Sequence, residues 1–339
     1  KEMNPNKGNI AQQLGRVYFR WSSSKLMRLK LFYLICRSQA IIKNLRSIYS
    51  KFCRFMGSSI VNRLIDKSYG EIFVGGKDEK VLKKMLLRMK DREIVSVADF
   101  AVECLEEGEE DHIPEIIDNL EKSIKAAYDI DKKNMTAFKV SCLETKNFLL
   151  QMNSLQFLMQ LLEKAIRENK SYLEFYNEVF SYGLNSYLHV SEFTFEQFKK
   201  NAQQLFAKLT DNKSNRYQFN LFQLFNQLDA EECLLEMRSI FNTDRNELAS
   251  LITRSKQLHK NLSQVFDYAK SHNISVMIDA EQTYFQCAID YIVIGMMAEY
   301  NKNDQAIILN TIQLYLKKAL GKLDDLLVYS RANNLKFGT

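Results

Sequence analysis

Apolar and polar positions alternate along this chain with two different periods. Between residues 16 and 68 the apolar side chains fall at helical spacing: Leu26, Leu29, Phe32, Tyr33 and Ile35, then Ile41, Ile42, Leu45 and Ile48. Arg and Lys fill most of the remaining positions, which predicts a basic amphipathic helix. From residue 93 the texture changes. EIVSVADFA is short, β-branched and apolar, and reads as a buried strand. The acidic run ECLEEGEEDHIPEIIDNLEKSIKAA follows, its acids ahead of a helical pattern as a helix N-terminus favours, and it reads as a solvated face rather than an acid/base site. MTAFKVSCL is again strand-like, with Lys139 in its middle, and residues 147–271 are overwhelmingly helical. ISVMIDA then predicts a strand, roughly residues 286–300 a helix, AIILNTI a strand, roughly residues 314–332 a helix, and LKFGT opens another strand.

Strands starting near 274, 306 and 335 repeat at about the 30 residues of a parallel βα unit. No glycine-rich phosphate loop follows any of them, so a dinucleotide-binding Rossmann domain is excluded and a TIM-type (β/α)8 barrel is the better reading. Only its first half is expected: four strands and the start of a fifth, an α/β fold with a helical N-terminal arm and a large helical insertion. The expected segments are a basic helical arm over 1–68, barrel strands one and two over 69–146, the insertion over 147–271, and strands three, four and the start of five over 272–339.

Composition sharpens this in three places. Two prolines and 11 glycines are too few for an all-β sandwich or a disordered linker and suit long helices. The six cysteines form no C-x-x-C pair and read as buried thiols in a reducing compartment; the four histidines share no metal-ligand spacing, so no metal site is expected. Within the insertion, LFAKLTDNKSNRYQFNLFQLF has the rhythm of an EF-hand. Its loop would run from Thr210 to Leu221, with Asn212, Ser214 and Asn215 at the third, fifth and sixth places. Leu221 stands where calcium wants a bidentate Glu and the first place lacks a carboxylate, so a calcium-free hairpin is expected.

The net charge of +6 is unevenly placed. Between Glu2 and Asp66 there is no acidic residue and there are twelve basic ones, so the arm carries +12 and the part from Asp66 onward −6. Three readings stay open: the arm lies on an anionic lipid surface through residues 16–63, binds nucleic-acid phosphates, or is a solvated face on an arm packed against its own domain. No recognised nucleic-acid module accompanies the charge. The most apolar stretch, Leu26 to Ile42, is interrupted by Arg28, Lys30 and Arg37, so no spanning helix is expected. The sequence opens on KEMNPNK without an initiator methionine, which suggests a removed leader or a start inside a longer chain. GRVYFRWSSSKLMRLK resembles mitochondrial targeting chemistry, but the basic character continues to residue 63.

Candidate chemistry gathers at predicted strand ends. A lysine within an apolar strand is costly unless it faces a polar cavity or a partner, which singles out Lys139. Asp279 and Glu281 close one strand and Gln313 the next, at the active-site rim of a barrel. The segments IDAEQTYFQCAID, ILNTIQLYLKKA and FKVSCL together resemble the proline dehydrogenase family of flavin-dependent barrel enzymes. MGSSIVNRLIDKSYGEIFVGG resembles that family's lead into the barrel, VSVADFAVE its first strand, and LKFGT the approach to its fifth; with interruptions the likeness runs from about residue 55 to the end.

The resemblance implies oxidation of L-proline to pyrroline-5-carboxylate, with a hydride passed to FAD and electrons onward to quinone, peripheral to the matrix side of the mitochondrial inner membrane. It implies that Lys139 pairs with the proline carboxylate and that Asp279 lies in the substrate and flavin pocket. It further implies that Gln313 bonds the flavin, with Ala280 and Thr311 lining the isoalloxazine. A buried ion pair is the alternative for Lys139 and Asp279. Cys287 stands where the family usually has proline, a change expected to alter only a helix start. The family's next segment, of the type Lys-Leu-Val-Arg-Gly-Ala-Tyr, would follow Thr339, and its paired arginines later still. The expected enzyme is therefore completed within a longer chain or by a second chain. The alternative is a non-catalytic structural or interaction subunit derived from the family.

Overall fold

The computed structural model describes residues 22–339 apart from 71–73, 77, 103–104, 185–194, 210–219, 239–243 and 303–304. The chain divides into two compact units, Lys1–Met85 and Leu86–Thr339. The proposed EF-hand-like loop lies outside the described residues, save Asn220 and Leu221 at its end.

The first unit is helical but is not the single helix that its periodicity predicts. It runs as α1 (Ser23–Arg37), α2 (Gln39–Lys43), α3 (Leu45–Met56) and α4 (Ser58–Ile65), and α5 (Glu79–Lys90) crosses its boundary. The breaks have local causes. Ser22 and Ser38 cap their helices by accepting from the Lys25 and Ile41 N–H groups, and Gly57 takes φ +84°, which a side chain would oppose. Val61 alone is buried among the residues of α1 to α4.

The second unit is a mostly helical α/β body around one parallel sheet. Its strands are β1 (Val97–Phe100), β2 (Met135–Phe138), β3 (Val276–Ile278) and β4 (Ile308–Asn310), adjacent in chain order. Between them run α6 (Ile113–Ile130), α7 (Lys146–Arg167), α8 (Tyr172–Ser181), α9 (Phe195–Leu209), α10 (Leu221–Gln227), α11 (Ala230–Arg238), α12 (Arg245–His272) and α13 (Gln286–Tyr300); α14 (Ala319–Ala332) follows β4. Helical crossovers join β1 to β2, β2 to β3 and β3 to β4, as parallel pairing requires.

Sequence dictates these helices directly. In α6, Pro114 sits in the first turn and Ile116, Ile117, Leu120, Ile124 and Ala127 bury one stripe. In α12, Asp244 accepts from the Asn246 and Glu247 N–H groups, and Asn273 closes the other end in the left-handed conformation at φ 55°. The α13 helix is buried at nearly every position from Gln286 to Met297, as befits a helix enclosed by protein on all sides.

Parallel register aligns Ala98, Thr136, Val276 and Ile308 in one row and Phe100, Phe138, Ile278 and Asn310 in another on the same face. Phe138, Val276, Ile278 and Ile308 join the main core with residues of α6, α7, α12 and α13. Alternation sends Val97, Asp99, Met135, Ala137, Met277 and Leu309 to the opposite face. There Val97 and Asp99 are exposed and Met135, Met277 and Leu309 half-buried. Beyond β4, residues 335–339 are not a regular strand, yet the Asn310 N–H donates to the Gly338 carbonyl at 3.1 Å. Asn301 ties this region together. It is fully buried, its side chain donates to the Ile308 and Lys336 carbonyls, and it accepts from the Ile307 and Ile308 N–H groups.

One correction concerns the cysteines. Cys142 and Cys233 are buried, but Cys53 and Cys287 are half-buried and Cys36 is exposed; Cys104 is outside the described residues. Cys36 sits on α1, which buries none of its side chains.

Candidate active site

Lys139, Asp279 and Thr311 each stand one residue past the end of β2, β3 and β4, and each is half-buried. Lys139 is not in mid-strand as its sequence context predicts. The chain turns immediately after it into a 3-10 turn over Val140–Cys142. The turn is pinned from β3: the Ser141 hydroxyl donates to Glu281 Oε2 at 2.7 Å and its N–H to Oε1 at 3.3 Å.

Electrostatics couple three groups here. Burial holds the Asp279 carboxyl above the usual range, the negative charge of Asp99 pushes it further, and the Lys139 ammonium pulls back. Asp99, although its side chain stays exposed, is likewise raised by partial desolvation against the sheet and lowered by Lys139. One cation therefore faces two carboxylates, brought together from the ends of three adjacent strands. Asp99 escaped the sequence reading. Within VSVADFAVE it looks like an outward polar residue, and only the pairing of Asp99 with Ala137, two residues before Lys139, sets it beside the lysine.

Two cavities open at this end of the sheet. Lys139, Ala280, Glu281, Gln282, Thr283, Gln313 and Tyr315 line one of about 310 Å3. Ala280, Thr311 and Gln313 also line a second of about 200 Å3, together with Gln286, Cys287, Asp290 and Lys322. Lys139, Ala280 and Gln313 thus share the first cavity, and Ala280, Thr311 and Gln313 the second. Asp279 lines neither and acts on the site through its charge.

A buried polar chain backs both cavities. The Glu281 N–H donates to Gln286 Oε1 at 2.6 Å, Gln286 Nε2 donates to Asp290 Oδ1 at 3.0 Å, and Lys322 pairs with Asp290. Asp290 is fully enclosed, and burial raises its carboxyl against the pull of Lys322. Gln313 Nε2 reaches the Glu281 carbonyl at 3.4 Å. The loops after β2, β3 and β4 are therefore joined through Glu281. Cys287 occupies the second position of α13, where its N–H donates to Asn153 Oδ1 at 3.1 Å, a bond that a proline at this place would lack.

The residues for a flat, polar-edged cofactor fit the second cavity. Thr311 Oγ1 is buried there without a partner among the described residues, and the Gln313 amide makes only a long bond. Ala280 adds a small side chain at the shared wall. Among the described residues, no group of three or more His, Cys, Asp and Glu side chains could hold a metal ion.

The family model described as Proline dehydrogenase matches residues 83–339. Proline dehydrogenase 1, mitochondrial, of Drosophila melanogaster is 23% identical over 390 residues, covering 94% of this chain and 56% of that protein. The Dictyostelium discoideum protein of the same name is 20% identical over 334 residues, covering 98% of the chain and 49% of its own length. The carbapenem antibiotics biosynthesis protein CarD of Pectobacterium carotovorum subsp. carotovorum is 50% identical over 78 residues, 22% of this chain and 20% of that protein. The chain spans about half the length of the two relatives that it matches along most of itself. No solved structure matches it. With three quarters of its residues inside one family's pattern, the chain belongs to the proline dehydrogenase family.

Proposed function

We propose that this chain contributes the substrate-binding and part of the flavin-binding wall of an enzyme that oxidises L-proline to pyrroline-5-carboxylate. The observation that carries the reading is the meeting of Lys139, Asp99 and Asp279 at the ends of β1, β2 and β3, beside the cavity wall shared by Ala280 and Gln313. The Lys139 ammonium is a point charge matched to the proline carboxylate. Asp99 and Asp279 lie within electrostatic reach of that ammonium and would bias its orientation before the substrate arrives. Thr311, Gln313 and Ala280 would hold FAD, Thr311 and Gln313 through their polar atoms and Ala280 by leaving room. When bound, FAD supplies the hydride acceptor, and the protein's share is orientation and electrostatics. Glu281 keeps the lysine-bearing and aspartate-bearing loops at a fixed separation.

The same reading makes β1 to β4 consecutive staves of a (β/α)8 barrel, with residues 147–271 inserted between the second and third. The face bearing Asp99, Met277 and Leu309 is then the barrel interior, completed by the remaining staves. The mitochondrial names of the relatives support a mitochondrial enzyme, and in this reading it passes electrons to quinone at the matrix side of the inner membrane.

The test is Lys139→Ala in the full-length protein. Loss of one charge-assisted contact of about 1.5–3 kcal/mol raises the proline KM about 10- to 150-fold, with flavin content unchanged. An unaltered KM in flavin-loaded protein overturns the assignment.

A further inference from the structure

We propose that the first unit binds the surface of an anionic lipid bilayer through α1, α3 and α4. Three observations converge on it. From residue 22 to residue 65 there are nine cations and no anion: Lys25, Arg28, Lys30, Arg37, Lys43, Arg46, Lys51, Arg54 and Arg63. The same stretch holds 13 of the 30 large hydrophobic side chains exposed among the described residues, a crowding that an ordinary solvated face does not show. These apolar side chains are in register. Met27, Leu31 and Leu34 form one i, i+4, i+7 row on α1, and Leu45, Tyr49 and Phe52 form another on α3. Phe55, in the last turn of α3, is 89% exposed, and Ile60 and Leu64 are exposed one turn apart on α4.

An interface of lipid headgroups rewards both halves of this pattern. Leu, Met and Phe enter the acyl boundary while Lys and Arg extend to the phosphates. Nucleic acid would engage the cations and stack on the exposed Tyr and Phe rings, but it gives nothing to the more numerous exposed Leu, Ile and Met side chains. A second copy of the chain would cover the apolar rows only by bringing nine cations against nine. No helix of the described residues is long and apolar enough to cross a membrane. The surface stands on charge and exposure, independently of the proline reaction, and a protein inactive toward proline would still bind.

Co-sedimentation of the full-length protein with phosphatidylcholine vesicles containing about a third phosphatidylserine tests the proposal. Binding is expected to these vesicles and not to phosphatidylcholine alone. Arg46→Gln/Lys51→Gln/Arg54→Gln weakens it about 100-fold, from about 1 kcal/mol per cation near the surface. Phe52→Ser/Phe55→Ser weakens it at low and high salt alike. Circular dichroism checks that both variants keep their helix content. Equal binding to neutral vesicles, indifference to the triple substitution, displacement of the vesicles by RNA at equal affinity, or a dimer burying these rows each overturns it.

Discussion

Removing the Ser141 hydroxyl tests whether Glu281 joins the loops after β2 and β3. In the folded protein, Ser141 Oγ donates to Glu281 Oε2 at 2.7 Å and the Ser141 N–H to Oε1 at 3.3 Å, both in a buried setting. A hydrogen bond to an ionised partner is worth about 1.5–3 kcal/mol. Ser141→Ala removes the shorter one and is expected to destabilise by that amount, lowering Tm by about 3–12 °C for a unit of this size. Glu281→Gln weakens both acceptors and is expected to cost a similar amount. Because the two substitutions remove the same bond, the double variant falls short of the sum of the singles by at least about 1 kcal/mol. Urea unfolding of the four proteins at constant m measures that coupling. Additivity within about 0.3 kcal/mol would show that the carboxylate and the hydroxyl act separately, and the latch would be refuted.

Two further outcomes follow from the charges at the site. Asp99→Asn removes a like charge, so the Asp279 carboxyl moves down toward its ordinary range and the acidic limb of the pH profile of proline turnover shifts to lower pH. The sign for stability runs the same way: a carboxyl raised in the folded state favours the native protein as pH falls through its folded value, and Asp99→Asn weakens that gain. An acidic limb that stays in place contradicts the coupling. Lys322→Met strands the enclosed Asp290 carboxylate and is expected to destabilise by about 3–5 kcal/mol, whereas Asp290→Leu/Lys322→Met recovers most of it. Denaturation of the three proteins decides this, and a double variant as unstable as the single one rules it out.

The sequence was most readable where burial and local chemistry agree. The runs ISVMIDA and AIILNTI are short, apolar and bounded, and β3 and β4 lie within them; the helix expected over roughly 286–300 is α13. The arm was less readable because helical periodicity continues through Ser38 and Gly57, while the caps that interrupt it act over three or four residues. Lys139, Asp279 and Gln313 stood out by their places in or at the ends of apolar strands, and Ala280 and Thr311 came only with the family likeness of their segments. Asp99 was not found, since nothing next to it in sequence reveals Lys139 across a strand pair. The Ser141–Glu281 contact joins residues 140 positions apart, beyond the reach of any periodicity or spacing rule.

That separation has a kinetic consequence. Pairing Phe138 with Ile278 closes a segment of 140 residues, whereas pairing Ile278 with Asn310 closes 32. Loop-closure entropy alone makes the first about 1.3 kcal/mol harder than the second. The intervening helices can shorten the gap only by collapsing first, so β3 and β4 zip early and the β2–β3 seam joins late. Lys139 and Asp279 lie on opposite sides of that seam. Until it closes, two strand edges stand open to other chains, and a nascent protein is most vulnerable to aggregation in the interval before its charged strand ends first meet.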